Sequence, residues 1–157
     1  MRKFFYLIDF ILIKLFFFIL IIIGYKNGSN LGYFIGRLLG PIFRPRKLIK
    51  NNLEQSGIVE KKNYNKIISK IYGNYGRILA EYPFLKAFRN NKLNKFIEID
   101  GLENLNKIKR ENRRAVFISG HFNNFELMAL QIEKAGINLC AIYRPLNIFF
   151  LTKQWRQ

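Results

Sequence analysis

The stretch AVFISGHFNNFELMALQIEKAGINLCAIY, residues 115–143, decides how this chain is read. It opens on a continuous apolar run, Ala115 to Ser119, closed by Gly120. Such a run fits a strand buried on both faces of a helix-covered sheet. Asn124 to Ala135 then carries Phe125, Met128, Ala129 and Ile132 at helical spacing, and Gly136 supplies a helix stop. Leu139 to Tyr143 reads as another buried strand. Upstream, Phe96 to Asp100 alternates as a half-buried strand does, Gly101 turns the chain, and Leu102 to Asn112 reads as a short charged helix. Strand, helix, strand, helix, strand predicts an α/β unit: the βαβαβ start of a mostly parallel sheet with right-handed crossovers. In open α/β sheets, sites lie beyond the C-terminal ends of strands. His121, the only histidine of the chain, follows one such end, and Arg144 follows the next.

His121 and Glu126 are five residues apart. On one continuous helix they would diverge by about 140° around the axis. A working pair therefore requires His121 in the loop before the helix and Glu126 in its first turn. The carboxylate could then hold one imidazole nitrogen and leave the other free as a general base. An alternative uses the same residues. With Asn123 as N-cap, Glu126 falls at the third helical position, and N-x-x-E approximates a capping box that serves only the helix.

The composition narrows the function classes. Half of the 157 residues are apolar, too many for a disordered chain. The formal net charge of +17 implies an anionic partner: nucleic acid, an anionic membrane surface or an acidic protein. The Ile, Asn, Lys and Phe bias suggests an AT-rich genome, which inflates lysine for reasons unrelated to binding. Nucleic-acid binding predicts aromatics interleaved with basic residues on an exposed face. Here the aromatics concentrate in apolar segments, so no nucleic-acid partner is expected. A single cysteine, Cys140, excludes an internal disulfide and a cysteine-built zinc site. Its place in an expected apolar strand disfavours a thiolate nucleophile. Neither a metal nor a cofactor is expected. Ser119 precedes the histidine without the G-x-S-x-G pattern of a nucleophile elbow.

Phe4 to Ile23 is an apolar segment about as long as a membrane-spanning helix. Asp9 and Lys14 interrupt it, each costing roughly 2.5–3.5 kcal/mol at a bilayer centre. The segment therefore either spans, with Lys14 snorkelling, or lies tilted in one leaflet. No small-x-small site follows it, which disfavours a cleaved signal. Gly24, Gly28, Gly32, Gly36 and Gly40 then recur every fourth residue, a stripe suited to close helix approach within the chain or between copies. Pro41 and Pro45 end that pattern, and Arg44, Arg46, Lys47 and Lys50 mark a cytoplasmic, lipid-facing flank. Leu48 to Phe88 reads as helical, with Pro83 as a stop and Arg77 and Glu81 as a surface pair. Asn90 to Asn94 is a polar break. The expected organisation is a membrane anchor at 1–25, a helical membrane-proximal region at 26–95 and an α/β catalytic-core part at 96–157.

GHFNNFE, residues 120–126, resembles the H-x4-D/E motif of the lysophospholipid-acyltransferase superfamily. It is most similar to the G-H-x-G-N-W-E form of the bacterial lipid A late acyltransferases. Asn123 and Phe125 stand where that form has glycine and tryptophan; the histidine, the carboxylate and Asn124 remain. LGYFIGRLLGPIFRPRKLIKNNL (31–53), NYGRILAEY (74–82), FIEIDGLENL (96–105) and AIYRPLN (141–147) resemble further family segments in the same order. The resemblance implies transfer of a fatty acyl chain from an acyl carrier protein thioester to a hydroxyl of an anionic lipid A precursor. It implies His121 as general base, Glu126 as its partner, and Arg144 and Asn124 as substrate-binding residues. The chain would sit at the bacterial inner (cytoplasmic) membrane with its catalytic part facing the cytoplasm. Family members are about twice as long, so an N-terminal fragment with a truncated sheet is expected. The alternatives are a glycerophospholipid acyltransferase of the same superfamily and an inactive membrane-bound basic fragment.

Overall fold

The computed structural model describes residues 2–120 and 123–140, with side chains from Tyr6 onward. Among them all regular structure is helical. The longer elements are α1 (Arg2–Ile23), α2 (Tyr25–Phe43), α3 (Arg46–Ser56) and α4 (Tyr64–Glu81). They are followed by the short α5 (Leu85–Arg89), α6 (Leu102–Arg110) and α7 (Glu126–Lys134). Gly24, with φ of 81°, makes the sharp joint between α1 and α2, a backbone state that glycine enters without a Cβ penalty. Pro83 lies in the single 3-10 turn Tyr82–Phe84 that ends α4. Gly57, also left-handed, separates α3 from α4, so Leu48 to Phe88 is several helices. Helix α2 runs past Pro41 to Phe43.

The glycine stripe explains how α2 and α4 meet. A Cβ at Gly32 would strike the Ala80 Cβ and the Gly76 carbonyl oxygen. One at Gly36 would strike the Tyr72 carbonyl oxygen and Gly76 Cα, and one at Gly40 the Tyr72 ring. As the α2 number rises the α4 number falls, so the two helices run antiparallel with their backbones in contact. The stripe is thus consumed within the chain along 32–40. Two apolar clusters flank the crossing. Leu20, Ala80, Phe84, Phe88 and Leu130 form one, and Ile49, Tyr64, Ile68 and Tyr72 the other. Leu20 docks the end of α1 onto the body, while most of Tyr6–Ile23 stays exposed. That segment is the one helix among the described residues long and apolar enough to cross a membrane. The outward face of α2 is also apolar, with Phe34, Leu38 and Ile42 exposed.

The expected α/β architecture is not what forms. No strand occurs among the described residues, and the βαβαβ sheet start is replaced by short helices joined by irregular segments. Only Ile97 onward in 96–100 leaves helical structure, after a 3-10 turn at Asn94–Phe96. In the run 115–119, Val116 is 89% exposed and Ile118 91%. Residues 137–140 are irregular, and 141–143 lie outside the described residues. Apolar pattern reports a preference for burial; a strand also needs a hydrogen-bonded neighbour, and these segments have none beside them here. The expected helices fare better: 102–112 forms as α6, which stops at Arg110, and 124–135 as α7, shortened at both ends.

Gly76→Ala separates helix propensity from packing. Propensity alone favours alanine by about 1 kcal/mol. The added Cβ, however, meets the Gly32 carbonyl oxygen and Gly36 Cα, backbone atoms that cannot swing aside. We expect net destabilisation of about 1–3 kcal/mol, read by denaturant unfolding in detergent micelles. Gly28→Ala, whose Cβ would make only ordinary 3.5 Å contacts, serves as the tolerated control.

Candidate active site

Helix α4 ends on a buried carboxylate. Glu81 is 6% exposed, and the surface pair expected with Arg77 does not form. Its Oε1 accepts hydrogen bonds from Ser29 Oγ at 2.7 Å and from the Tyr25 hydroxyl at 3.4 Å. Its Oε2 accepts from Asn124 Nδ2 at 3.0 Å. Tyr25 and Ser29 reach it because they precede Gly32 and Gly36 on the α2 face that the backbone crossing presses onto α4. Three neutral donors thus satisfy a charge that would otherwise be costly to bury.

Asn124 carries this region into the H-x4-E segment. Only its NH2 can face a carboxylate, so the bond fixes the amide orientation. Its Oδ1 is then buried with no partner among the described residues. Asn123 sits in the left-handed region at φ of 47°, which asparagine tolerates better than most residues. Helix α7 starts at Glu126 with Phe125 as its N-cap and no side-chain cap bond. Tight bonds from Leu127 N to the Asn124 carbonyl oxygen (3.2 Å) and from Met128 N to that of Phe125 (3.1 Å) open it. The capping box therefore does not form, and the Glu126 carboxylate is not used as a cap.

Asn123 and Asn124 face α4 across a cleft of about 380 Å³, lined also by Asn74, Arg77, Ile78, Glu81 and Leu127. The Arg77 guanidinium lies over the Tyr33 ring, 4.7 Å from its centroid, and bonds Asn30 Oδ1 at 3.5 Å. Its Nε is buried without a partner among the described residues. A second cleft, about 510 Å³ and mainly apolar, runs between 96–101, Phe117 and α7; Leu127 borders both. Burial, then the charge and hydrogen bond of Glu81, push the Tyr25 hydroxyl up to about 12, against the lowering effect of Arg77. Burial, and secondly the Glu126 carboxylate, raise the neighbouring Tyr82.

Of the residues singled out in the sequence, Asn124 and Glu126 are placed on the loop–helix joint beside α4. Ser119 Oγ bonds the carbonyl oxygen of Gly120 at 3.2 Å. Cys140 is exposed, so the expected apolar strand does not enclose it. His121 and Arg144 lie outside the described residues. Sequence reasoning missed Glu81, Tyr25 and Ser29. The available signal was that two polar side chains share the face of the glycine stripe, the face bound to be buried.

The model of the bacterial lipid A biosynthesis acyltransferase family matches residues 1–157, and the chain belongs to that family. It is 28% identical over 126 residues to the lipid A biosynthesis palmitoleoyltransferase of Escherichia coli (strain K12) and, equally, to a lipid A biosynthesis acyltransferase of Shigella flexneri. Each match covers 74% of this chain but 39% of the relative, so the chain spans well under half of their length. No solved structure matches it.

The raised Tyr25 pKa has a thermodynamic consequence. Its folded-state value, about 12, exceeds the ordinary 10.0. Above pH 10 the unfolded chain releases a proton that the folded chain retains, so stability falls as pH rises from 10 to 12. Tyr25→Phe abolishes this contribution. In unfolding followed from pH 9 to 12, the variant should lose less stability across that window than the parent.

Proposed function

We propose that this chain carries the acyl-transfer chemistry of its family: movement of a fatty acyl group from an acyl carrier protein thioester to a hydroxyl of a lipid A precursor. His121 takes the acceptor hydroxyl proton as the oxygen attacks the thioester carbon. The new C–O bond forms, the C–S bond breaks, and the proton passes to the leaving sulfur. Glu126 holds the imidazole and stabilises its charged form. The observation that carries this reading is the state of Glu126. It opens α7 after a loop, as a dyad at five-residue spacing requires, and no capping box engages it.

Substrate handling follows from the surroundings. Arg144 is suited to hold a phosphate of the acceptor bidentately. Asn124, its Oδ1 buried without a described partner, lines the polar cleft. The apolar cleft beside it suits an acyl chain, since Leu127 borders both. Tyr6–Ile23 and the outward apolar face of α2 supply a membrane seat. The exposed basic run Arg44, Arg46, Lys47 and Lys50 favours the cytoplasmic side of the inner membrane and contact with anionic lipid.

The test is acyl transfer in membranes containing the chain, with an acyl carrier protein thioester as donor and a lipid A precursor as acceptor. His121→Ala and Glu126→Ala should each lower the rate about 10²–10⁴-fold, with membrane association and helix content unchanged. Transfer that survives His121→Ala sinks the mechanism.

A further inference from the structure

We propose that Glu81 is a positioning residue for the H-x4-E motif, fixing the turn that leads into Glu126 through its bond to Asn124. The inference rests on the His121–Glu126 reading above and adds to it a residue outside the motif.

Geometry carries the argument. Glu81 and Asn124 are 43 residues apart in sequence, yet their side chains bond at 3.0 Å. One oxygen of the carboxylate is held to α2 by Ser29 and Tyr25; the other is left for the motif loop. The carboxylate therefore ties three segments together: α2, the end of α4, and the turn into α7. An anion so buried is poor value for stability alone, because an apolar side chain of similar size would need no donors. It gains a reason if its task is orientation. Asn124 lies within the motif, two residues before Glu126, and Asn123 before it turns the chain with a left-handed backbone. The next α4-side residue, Tyr82, senses the Glu126 carboxylate. Consecutive residues at the end of α4 thus face Asn124 and Glu126. A dyad held to within a fraction of an ångström needs such support from neighbouring side chains.

The chain contains one histidine, so its imidazole can be titrated by NMR without assignment, using the 157-residue chain in detergent micelles. If Glu126 pairs with His121, the imidazole pKa stands above the ordinary 6.5 and Glu126→Gln lowers it by roughly one unit or more. Asn124→Ala removes the bridge but no charge, so any shift it causes reports geometry. We expect it to lower the pKa by at least half the Glu126→Gln effect. Glu81→Gln, read in the same way, should act in the same direction. Circular dichroism of each variant checks that helix content is retained, and Asn124→Ala leaves the Ser29 and Tyr25 bonds to Glu81 in place should Glu81→Gln not fold. A parent-like titration in folded Asn124→Ala, alongside a clear Glu126→Gln shift, overturns the positioning role and leaves the dyad standing. A titration that Glu126→Gln does not move overturns the dyad, and this inference with it.

Discussion

Everything described here depends on two backbones touching. Where α2 crosses α4, Gly32 and Gly36 meet Gly76 with no side chain between them. Helices packed through side chains hold their axes 8–10 Å apart. Contact through bare backbone brings the rest of each face closer. Tyr25 and Ser29, short of the crossing on α2, then reach the carboxylate at the end of α4. Lost contact at the glycines would open that distance, and the buried anion would lose its donors. Packing and electrostatics are therefore one constraint in this fold.

From that carboxylate the constraint passes to the chemistry. Asn124 donates its NH2 to Glu81, and its Oδ1, the atom able to cap a helix N-terminus, makes no cap bond to α7. The helix begins without a side-chain cap, through short-range backbone bonds, and Glu126 stands at its first position. A capped helix would be the more stable local solution by about 1 kcal/mol. The segment goes without that cap while Asn124 bridges to α4.

The sequence was informative where local rules govern. The apolar segment, the close-approach stripe, the stop at Pro83 and the short helices after Gly101 and before Gly136 were all legible from residue type and spacing. So was the loop–helix joint before Glu126, from Gly120 and the Asn pair that precede the helical spacing. The sheet was misread for a definite reason. FIEID and AVFIS have the composition of strands, but composition cannot supply the neighbouring chain that a ladder requires, and Val116 and Ile118 remain open to solvent. Glu81 was misjudged for the opposite reason. Its i−4 neighbour Arg77 offered a plausible surface pair, and nothing local indicated that a helix some fifty residues earlier would cover it.

The carboxylate bridge also bears on how such a sequence can drift. Tyr25 and Ser29, Glu81, and Asn124 come from three distant segments, yet each satisfies or is satisfied by another. A lone change of Glu81 to an apolar residue strands three donors; a lone loss of a donor leaves a buried charge short of partners. These four positions are therefore free to vary only as a set, and relatives diverging elsewhere along the chain would preserve or exchange them together.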